Sequence, residues 1–205
     1  MTNDESCRGV CVKRLANRFG AWHKRRYNAF TLIELVVVFA LILVLTGLVL
    51  STAGYARKKG ARARAETEIA AMSAACESYK ADNGIYPREA SSTDMLDAKV
   101  SGDPSAYQSA SLYLYKQLSG DSTAIRTPTG KSYMTFKPNM LLPTGGIGTV
   151  TAIVDPFGNS YGYSTANQAN SNNGYNPTFD LWSTSGLTTN PGNPDTITPQ
   201  WIKNW

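Results

Sequence analysis

Residues 30–53 form a mostly apolar run that contains a single carboxylate, that of Glu34. As an α-helix, 24 residues would extend about 36 Å, which is enough to cross the hydrocarbon core of a bilayer. A carboxylate near the centre of a bilayer costs about 2.5–3.5 kcal/mol, and less near the edge. We therefore expect Glu34 to be satisfied by a partner group.

The net charge of +5 arises entirely from the first 29 residues. This segment has seven basic and two acidic side chains, and the remaining 176 residues have thirteen of each. Bulk charge therefore does not predict that the rest of the chain binds nucleic acid.

A second basic cluster, Arg57, Lys58, Lys59, Arg62 and Arg64, follows the apolar run, so the positive-inside rule alone does not predict the topology. Two interpretations of this cluster remain open. It can form a solvated or headgroup-facing surface, which we favour slightly. Alternatively, it can pair with the acidic residues of neighbouring copies, namely Glu66, Glu68 or Glu77.

Histidine and cysteine are too few for most catalytic or metal sites. The one histidine, His23, and two of the three cysteines, Cys7 and Cys11, lie in the basic first segment. Beyond it, Cys76 is alone and cannot form an internal disulfide. Histidine-based triads and ordinary histidine metal sites are therefore excluded for residues 30–205.

The helical patterns predict one very long helix and one short one. The first covers residues 30–82, and its second half is amphipathic through Ile69, Met72, Cys76 and Tyr79, which we expect to pack on a sheet. Asn83-Gly84 provides a stop. A short helix begins after Asp103-Pro104 and ends at Gly120. It should lie over the sheet.

In the rest of the chain, the side-chain pattern changes from the helical period to the shorter period that is typical of β-strands. We predict strands at 132–136, 149–154, 160–163 and 178–182, with a turn at 155–159. Residues 183–205 are predicted to be irregular, with Trp201 and Trp205 packing this tail onto the domain. The fold class is α+β, with the long helix packed by its second half on a small antiparallel sheet.

Four motifs resemble those of one family. Phe30-Thr31-Leu32-Ile33-Glu34, preceded by basic residues and followed by the apolar run, resembles the amino-terminal signal of type IV prepilins and type II secretion pseudopilins. Three later strings resemble the major pseudopilin: Gly84-Ile85-Tyr86-Pro87, Asp155-Pro156-Phe157-Gly158-Asn159-Ser160-Tyr161 and Asp180-Leu181-Trp182-Ser183. Ala29 stands where the family usually has glycine.

The resemblance implies a processing pathway and a domain organisation. A prepilin peptidase would cut between Ala29 and Phe30 and methylate the Phe30 amine. Glu34 would then pair with that amine on an adjacent subunit, although it could instead merely cap its own helix. The segments would be a cytoplasmic leader (1–29), a transmembrane and assembly half-helix (30–53), an amphipathic half-helix (54–84) and a periplasmic β-domain (85–205).

The implied function is that of a structural, non-enzymatic subunit of a type II secretion pseudopilus. Its partners would be copies of itself, other pseudopilins, the prepilin peptidase, the inner-membrane assembly platform and the lipid bilayer, with no nucleic acid. It would be a single-pass inner-membrane protein before it enters a periplasmic or extracellular fibre. A pilin for adhesion, motility or DNA uptake is one alternative, and a signal-anchored periplasmic enzyme or binding module is another.

The family's calcium site is poorly matched. Residues 184–190 lack the expected acidic side chains, and the weak calcium candidates are Asn190 and Asp195. Calcium takes six to eight oxygen ligands, usually with several carboxylates. We therefore expect no calcium or other cofactor, and we expect that packing of the two tail tryptophans replaces the ion.

Overall fold

The computed structural model describes residues 30–189, 195 and 197–205. The leader, including Ala29, and the calcium candidate Asn190 therefore lie outside the described residues. The first helix, α1, spans Leu32–Asn83 and confirms the predicted long helix. It ends where Gly84 adopts a φ of 78°, a left-handed conformation that glycine accepts without steric cost.

The chain divides into two compact units, and the boundary falls within α1, between Gly47 and Leu48. In the first unit, all described residues from Phe30 onward are exposed. The second unit contains the remainder of α1 and every strand described below.

One face of α1 is buried in the second unit. Ala65, Ile69, Met72 and Cys76 follow one another at spacings of four, three and four residues, which places them on one side of a helix. They share a core with residues of the second helix and the strands. Tyr79 is only partly buried, and its hydroxyl donates to Gln117 of the second helix, at 3.0 Å, not to a strand.

The second helical region is a 3-10 turn, Pro104–Tyr107, followed by α2, Gln108–Ser119. The predicted cap is confirmed, since the Asp103 carboxylate accepts a hydrogen bond from the Ser105 amide at 2.9 Å. α2 lies against the strands. Its Ser111 hydroxyl accepts from the Ile153 amide at 2.9 Å and donates to the Ile153 carbonyl at 3.2 Å.

The strands are short, antiparallel and arranged in two sheets. β1 (Leu141–Leu142) pairs with β2 (Ala152–Ile153). The second sheet has the order β3 (Gly162–Ser164), β4 (Asp180–Ser183) and β5 (Ile202–Lys203). An isolated bridge between Val154 and Ser160 lies across the predicted turn, and one short helix, α3 (Ala166–Ala169), separates β3 from β4.

Two expectations about strands differ from the structure. The predicted strand at 132–136 is wrong, because the amides of Tyr133 and Met134 both donate to the Leu118 carbonyl at 2.8 and 3.0 Å. These donors satisfy the end of α2 and are not available to a neighbouring strand. Conversely, the tail predicted to be irregular supplies β5, which pairs with the edge of β4.

Candidate assembly surface

The start of α1 is built around Thr31 and Glu34. The Glu34 amide donates to the Thr31 hydroxyl at 3.3 Å, and this hydroxyl donates to the Glu34 carboxylate at 3.5 Å. Thr31 therefore occupies the capping position, with the carboxylate in the first turn, where the helix dipole favours negative charge. This geometry supports the alternative in which Glu34 caps its own helix.

The same geometry leaves Glu34 able to bind a second group. Its hydrogen bond with Thr31 is at the outer limit of length, and both residues are exposed. A carboxylate has two oxygens and about four acceptor sites, so most of its capacity is unused here. An amine approaching Glu34 from another molecule would find an accessible, pre-positioned acceptor.

The first turns of α1 expose apolar side chains on every face. Sixteen large apolar residues between Phe30 and Leu50 are exposed, from 49% for Val37 to 83% for Leu32. Soluble monomers rarely show contiguous apolar patches beyond roughly 300–600 Å². By length and composition, α1 is also apolar enough to cross a membrane. Such a surface requires lipid or other apolar helices to cover it.

Two of the basic residues after the apolar run pair with glutamates of the same helix. Arg62 lies 3.3 Å from Glu66, and Arg64 lies 2.7 Å from Glu68, both at the i, i+4 spacing. The Arg62–Glu66 pair is exposed, and exposed pairs at this spacing contribute only about 0.3–0.5 kcal/mol, whereas Glu68 of the second pair is buried. Glu77 accepts hydrogen bonds from the Tyr86 hydroxyl at 2.9 and 3.2 Å. All three acidic candidates for intersubunit pairing thus already have local partners.

Glu68 belongs to a buried polar cluster that the sequence analysis did not identify. Its carboxylate accepts a hydrogen bond from the buried Tyr161 hydroxyl at 2.7 Å. Burial and the Glu68 carboxylate both raise the pKa of Tyr161 above its usual value, so this hydroxyl stays protonated and donates. The signal was present in the sequence, because Glu68 shares the helical face of Ala65 and Met72 and so had to enter the core.

Asp155 organises the predicted turn at 155–159, which is confirmed. One carboxylate oxygen accepts from the amides of Phe157 and Asn159, each at 2.9 Å, and the other accepts from the Ser183 hydroxyl at 2.5 Å. Burial raises the pKa of Asp155, with a smaller contribution from the charge of Glu68. The carboxylate therefore joins the turn to the end of β4.

The loop after β4 is joined to α1 by polar contacts. The Arg62 guanidinium donates to the Gln200 carbonyl at 2.9 Å, and the Ser185 hydroxyl donates to the same carbonyl at 2.8 Å. Ser185 has a φ of 56°, which is uncommon for a residue other than glycine.

In the part of the chain that the structure describes, no three His, Cys, Asp or Glu side chains cluster as a metal site would require.

The predicted tail packing is confirmed. The rings of Trp201 and Trp182 stack, with centroids 5.7 Å apart and an interplanar angle of 9°. Trp205 meets Trp182 edge to face at 6.0 Å.

Among the candidate calcium ligands, Asp195 is described but Asn190 is not. Whether the aromatic packing replaces an ion therefore stays a prediction.

Comparison with known proteins bears on the same amino-terminal segment. Residues 24–50 match the family described as "Prokaryotic N-terminal methylation motif". The chain is 33% identical to type II secretion system core protein G of Aeromonas hydrophila over 81 residues, which are 40% of this chain and 57% of that protein. It is 30% identical to the Klebsiella pneumoniae core protein G over 82 residues, 40% of this chain and 59% of that protein.

These matches are partial, since the chain spans less than two thirds of the length of either relative. No solved structure matches the chain significantly. Residues 24–50, which match the methylation motif, contain Phe30, Glu34 and the exposed apolar turns of α1. This match agrees with the motifs seen in the sequence. The chain thus carries a prokaryotic N-terminal methylation motif and is similar, at modest identity, to core protein G of type II secretion systems.

Proposed function

We propose that this chain is a structural subunit of a type IV pilus-like fibre, the pseudopilus of a type II protein secretion system. One observation carries the proposal. The methylation motif at residues 24–50 coincides with helical turns of α1 that are apolar and exposed on every face. In a fibre, the α1 helices of neighbouring copies would bury this exposed apolar surface against one another.

Processing would precede assembly. A prepilin peptidase would cut between Ala29 and Phe30 and methylate the new Phe30 amine, which keeps its positive charge. An ammonium group beside the positive end of a helix dipole is poorly placed on its own. The exposed carboxylate of Glu34, near the same end of α1, is suited to compensate it.

The amine and the carboxylate would pair between subunits. Two charges that leave water cost less together than apart, and breaking a buried pair costs about 3–5 kcal/mol. Pairing Phe30 of one copy with Glu34 of the next would set the axial register of the helices in the fibre. The weak hydrogen bond between Thr31 and Glu34 can be exchanged for this stronger pair.

The same proposal determines location and partners. The leader would face the cytoplasm, α1 would cross the inner membrane once, and residues 85–205 would lie in the periplasm until assembly. The partners would be other pseudopilins, the peptidase and the assembly platform. Similarity to core protein G implies a structural role and favours secretion over adhesion, motility or DNA uptake.

Cross-linking in membranes tests the proposal. We would introduce Val37→Cys and Leu45→Cys separately, because both positions lie on the exposed apolar turns of α1. Because each variant adds one reactive cysteine per chain, a fibre subunit should give disulfide-linked dimers under oxidation. Mass spectrometry of the extracted protein should also show a methylated Phe30 terminus.

A matched control is Lys137→Cys, an exposed position on the second unit. Dimers from the two helix positions but not from this one would support assembly through α1. If all three variants stay monomeric, or if the chain keeps Met1 in cells with an active prepilin peptidase, the proposal fails. A single-pass anchor for an enzyme or binding module would give that monomeric result.

A further inference from the structure

A pocket of about 440 Å³ lies between α1 and the loops at one end of the strands. It combines positive charge on one side with apolar and small polar groups on the other. Its lining consists of Lys58, Arg62, Phe157, Ser185, Gly186, Leu187 and Gln200.

Hydrogen bonds hold the walls of this pocket in place. Arg62 from α1 and Ser185 from the loop after β4 donate to one acceptor, the Gln200 carbonyl, at 2.9 and 2.8 Å. Ser185 keeps a left-handed backbone conformation, with a φ of 56°. Such conformations in residues other than glycine persist where surrounding contacts impose them, and they are concentrated at ligand sites. The pocket is thus a defined feature of the second unit.

The pocket has an excess of positive charge. Lys58 is exposed, and among the described residues its amine has no hydrogen-bonding or ion-pair partner. The Arg62 guanidinium lies 3.3 Å from the Glu66 carboxylate. Both side chains are about half exposed, so water still reaches the two groups. Lys58 and Arg62 lie one helical turn apart on the same face and can contact one anion together.

The sequence position of the pocket determines which anions it would meet. Lys58 follows the last large apolar residue of the run, Leu50, by eight positions, or about 12 Å of helix. Tyr55, which is 73% exposed, lies between them, and tyrosine is enriched at membrane interfaces. The headgroup layer extends about 5–8 Å beyond the hydrocarbon core, and helical side chains point towards the N-terminus, so the amine of Lys58 can reach back to the headgroups when the apolar run lies in a bilayer.

We propose that this pocket binds the phosphodiester headgroup of an anionic phospholipid while the chain is anchored in a membrane. Lys58 and Arg62 contact the phosphate. Phe157 and Leu187, both partly exposed, contact the glycerol and the first carbons of the acyl chains. The inference rests on the membrane anchoring in the proposed function, and it adds a specific lipid site that holds the second unit at the bilayer surface.

Amine labelling in nanodiscs tests the site. The full chain is reconstituted in discs of phosphatidylcholine alone or mixed with phosphatidylglycerol, and acetylation of each lysine is followed by peptide mass spectrometry. We expect acetylation of Lys58 to slow about fivefold more than that of Lys59 in anionic discs, because diffuse attraction to an anionic leaflet, about 1 kcal/mol per basic residue, acts on both lysines. Lys59, which does not line the pocket, is the internal control, and its rate should change less.

The variant Arg62→Gln should restore the labelling rate of Lys58 in anionic discs, provided that its near-ultraviolet circular dichroism matches the wild type. Lys137→Glu, an exposed change of charge far from the pocket in sequence, should leave the protection of Lys58 intact. Equal slowing of Lys58 and Lys59 would overturn the inference, because it would indicate diffuse attraction to the surface.

Two other outcomes would also overturn it. Protection in neutral discs that grows with the number of chains per disc would show that an acidic residue of a second copy fills the pocket. Protection by inorganic phosphate in neutral discs, equal to that by phosphatidylglycerol, would show a free-anion site. Failure of the chain to insert would remove the proposed function and this inference together, whereas insertion without protection of Lys58 removes only the inference.

Discussion

Gly162 lies directly opposite Trp182 in the ladder of β3 and β4, and the indole covers its Cα. A Cβ on residue 162 would lie 2.1 Å from Cε2 of Trp182. Trp182 is fully buried, stacks on Trp201 and meets Tyr107 edge to face at 5.1 Å. The lack of a side chain at position 162 therefore makes room for the residue around which the tail packs.

The substitution Gly162→Ala should destabilise the second unit. Forcing atoms into a packed core costs about 1–3 kcal/mol and sometimes more. Thermal unfolding followed by near-ultraviolet circular dichroism, which reports on the buried tryptophans, should show a lower midpoint. Gly60→Ala is the matched control, because this helical position has no atom within 4 Å of a new Cβ and should gain about 1 kcal/mol. An unchanged midpoint for Gly162→Ala would contradict the packing described.

The substitution Glu34→Ala should block assembly but not insertion or cleavage. The apolar run becomes more apolar and the cleavage position is untouched, but the Phe30 amine of a neighbour loses its partner, at a cost of about 3–5 kcal/mol. Filament yield and Phe30 methylation are measured in parallel. Glu66→Ala on the same helix removes only the exposed pair with Arg62 and should assemble normally. Normal filaments from Glu34→Ala would count against pairing.

Asp155 should make stability depend on pH. Burial raises its pKa in the folded protein above the ordinary value of 3.8, so the folded state binds more protons between these two pKa values. Stability attributable to this group is therefore lowest above the folded pKa and rises as the pH falls towards 3.8. The free energy of unfolding of the wild type, relative to Asp155→Asn, should increase on acidification from pH 7.

The asparagine variant suits this comparison because its amide oxygen can still accept from Phe157 and Asn159, while its NH₂ group can donate to Ser183. Acidic groups that do not interact with Asp155 titrate equally in both proteins and cancel in the difference. Asp121, whose pKa is lowered by hydrogen bonds from Tyr115 and Thr123, is one of these. If the difference between wild type and variant does not change with pH, Asp155 does not have a raised pKa.

Calcium should stabilise the chain little or not at all. Binding at a hundredfold excess over the dissociation constant would add about 2.7 kcal/mol, which would raise the unfolding midpoint by several degrees. Thermal unfolding with excess calcium and with chelator measures this directly. A shift of that size, lost in Asp195→Asn, would show that Asp195 and nearby oxygens suffice for a site.

The elements predicted correctly are those that local sequence determines. The apolar run that begins at Phe30 and the stop at Gly84 place the two ends of α1 within two residues of the observed bounds. The Asp103 cap and the turn at Asp155 are likewise local, because each carboxylate bonds amides a few residues away. The position of Glu34 follows from the same local rules, whereas its proposed role in assembly involves other molecules.

The elements predicted wrongly depend on contacts distant in sequence. Residues 132–136 have the composition of a strand, but their amides complete the end of α2 at Leu118. β5 has too few residues to show an alternating pattern in the sequence. It forms because its backbone pairs with the edge of β4. The Glu68–Tyr161 hydrogen bond joins residues 93 positions apart, so composition and spacing predict the burial of Glu68 but not its partner.

The burial of Cys76 has a practical consequence for spectroscopy. Its thiol is inaccessible, and burial, with the nearby Glu77 charge, raises its pKa, so very little reactive thiolate forms. A maleimide dye or spin label would therefore react with a single introduced cysteine in the processed chain without Cys76 being replaced. Distances between labelled copies, from the helix or from the β-domain, can then be measured in a protein whose core is unaltered.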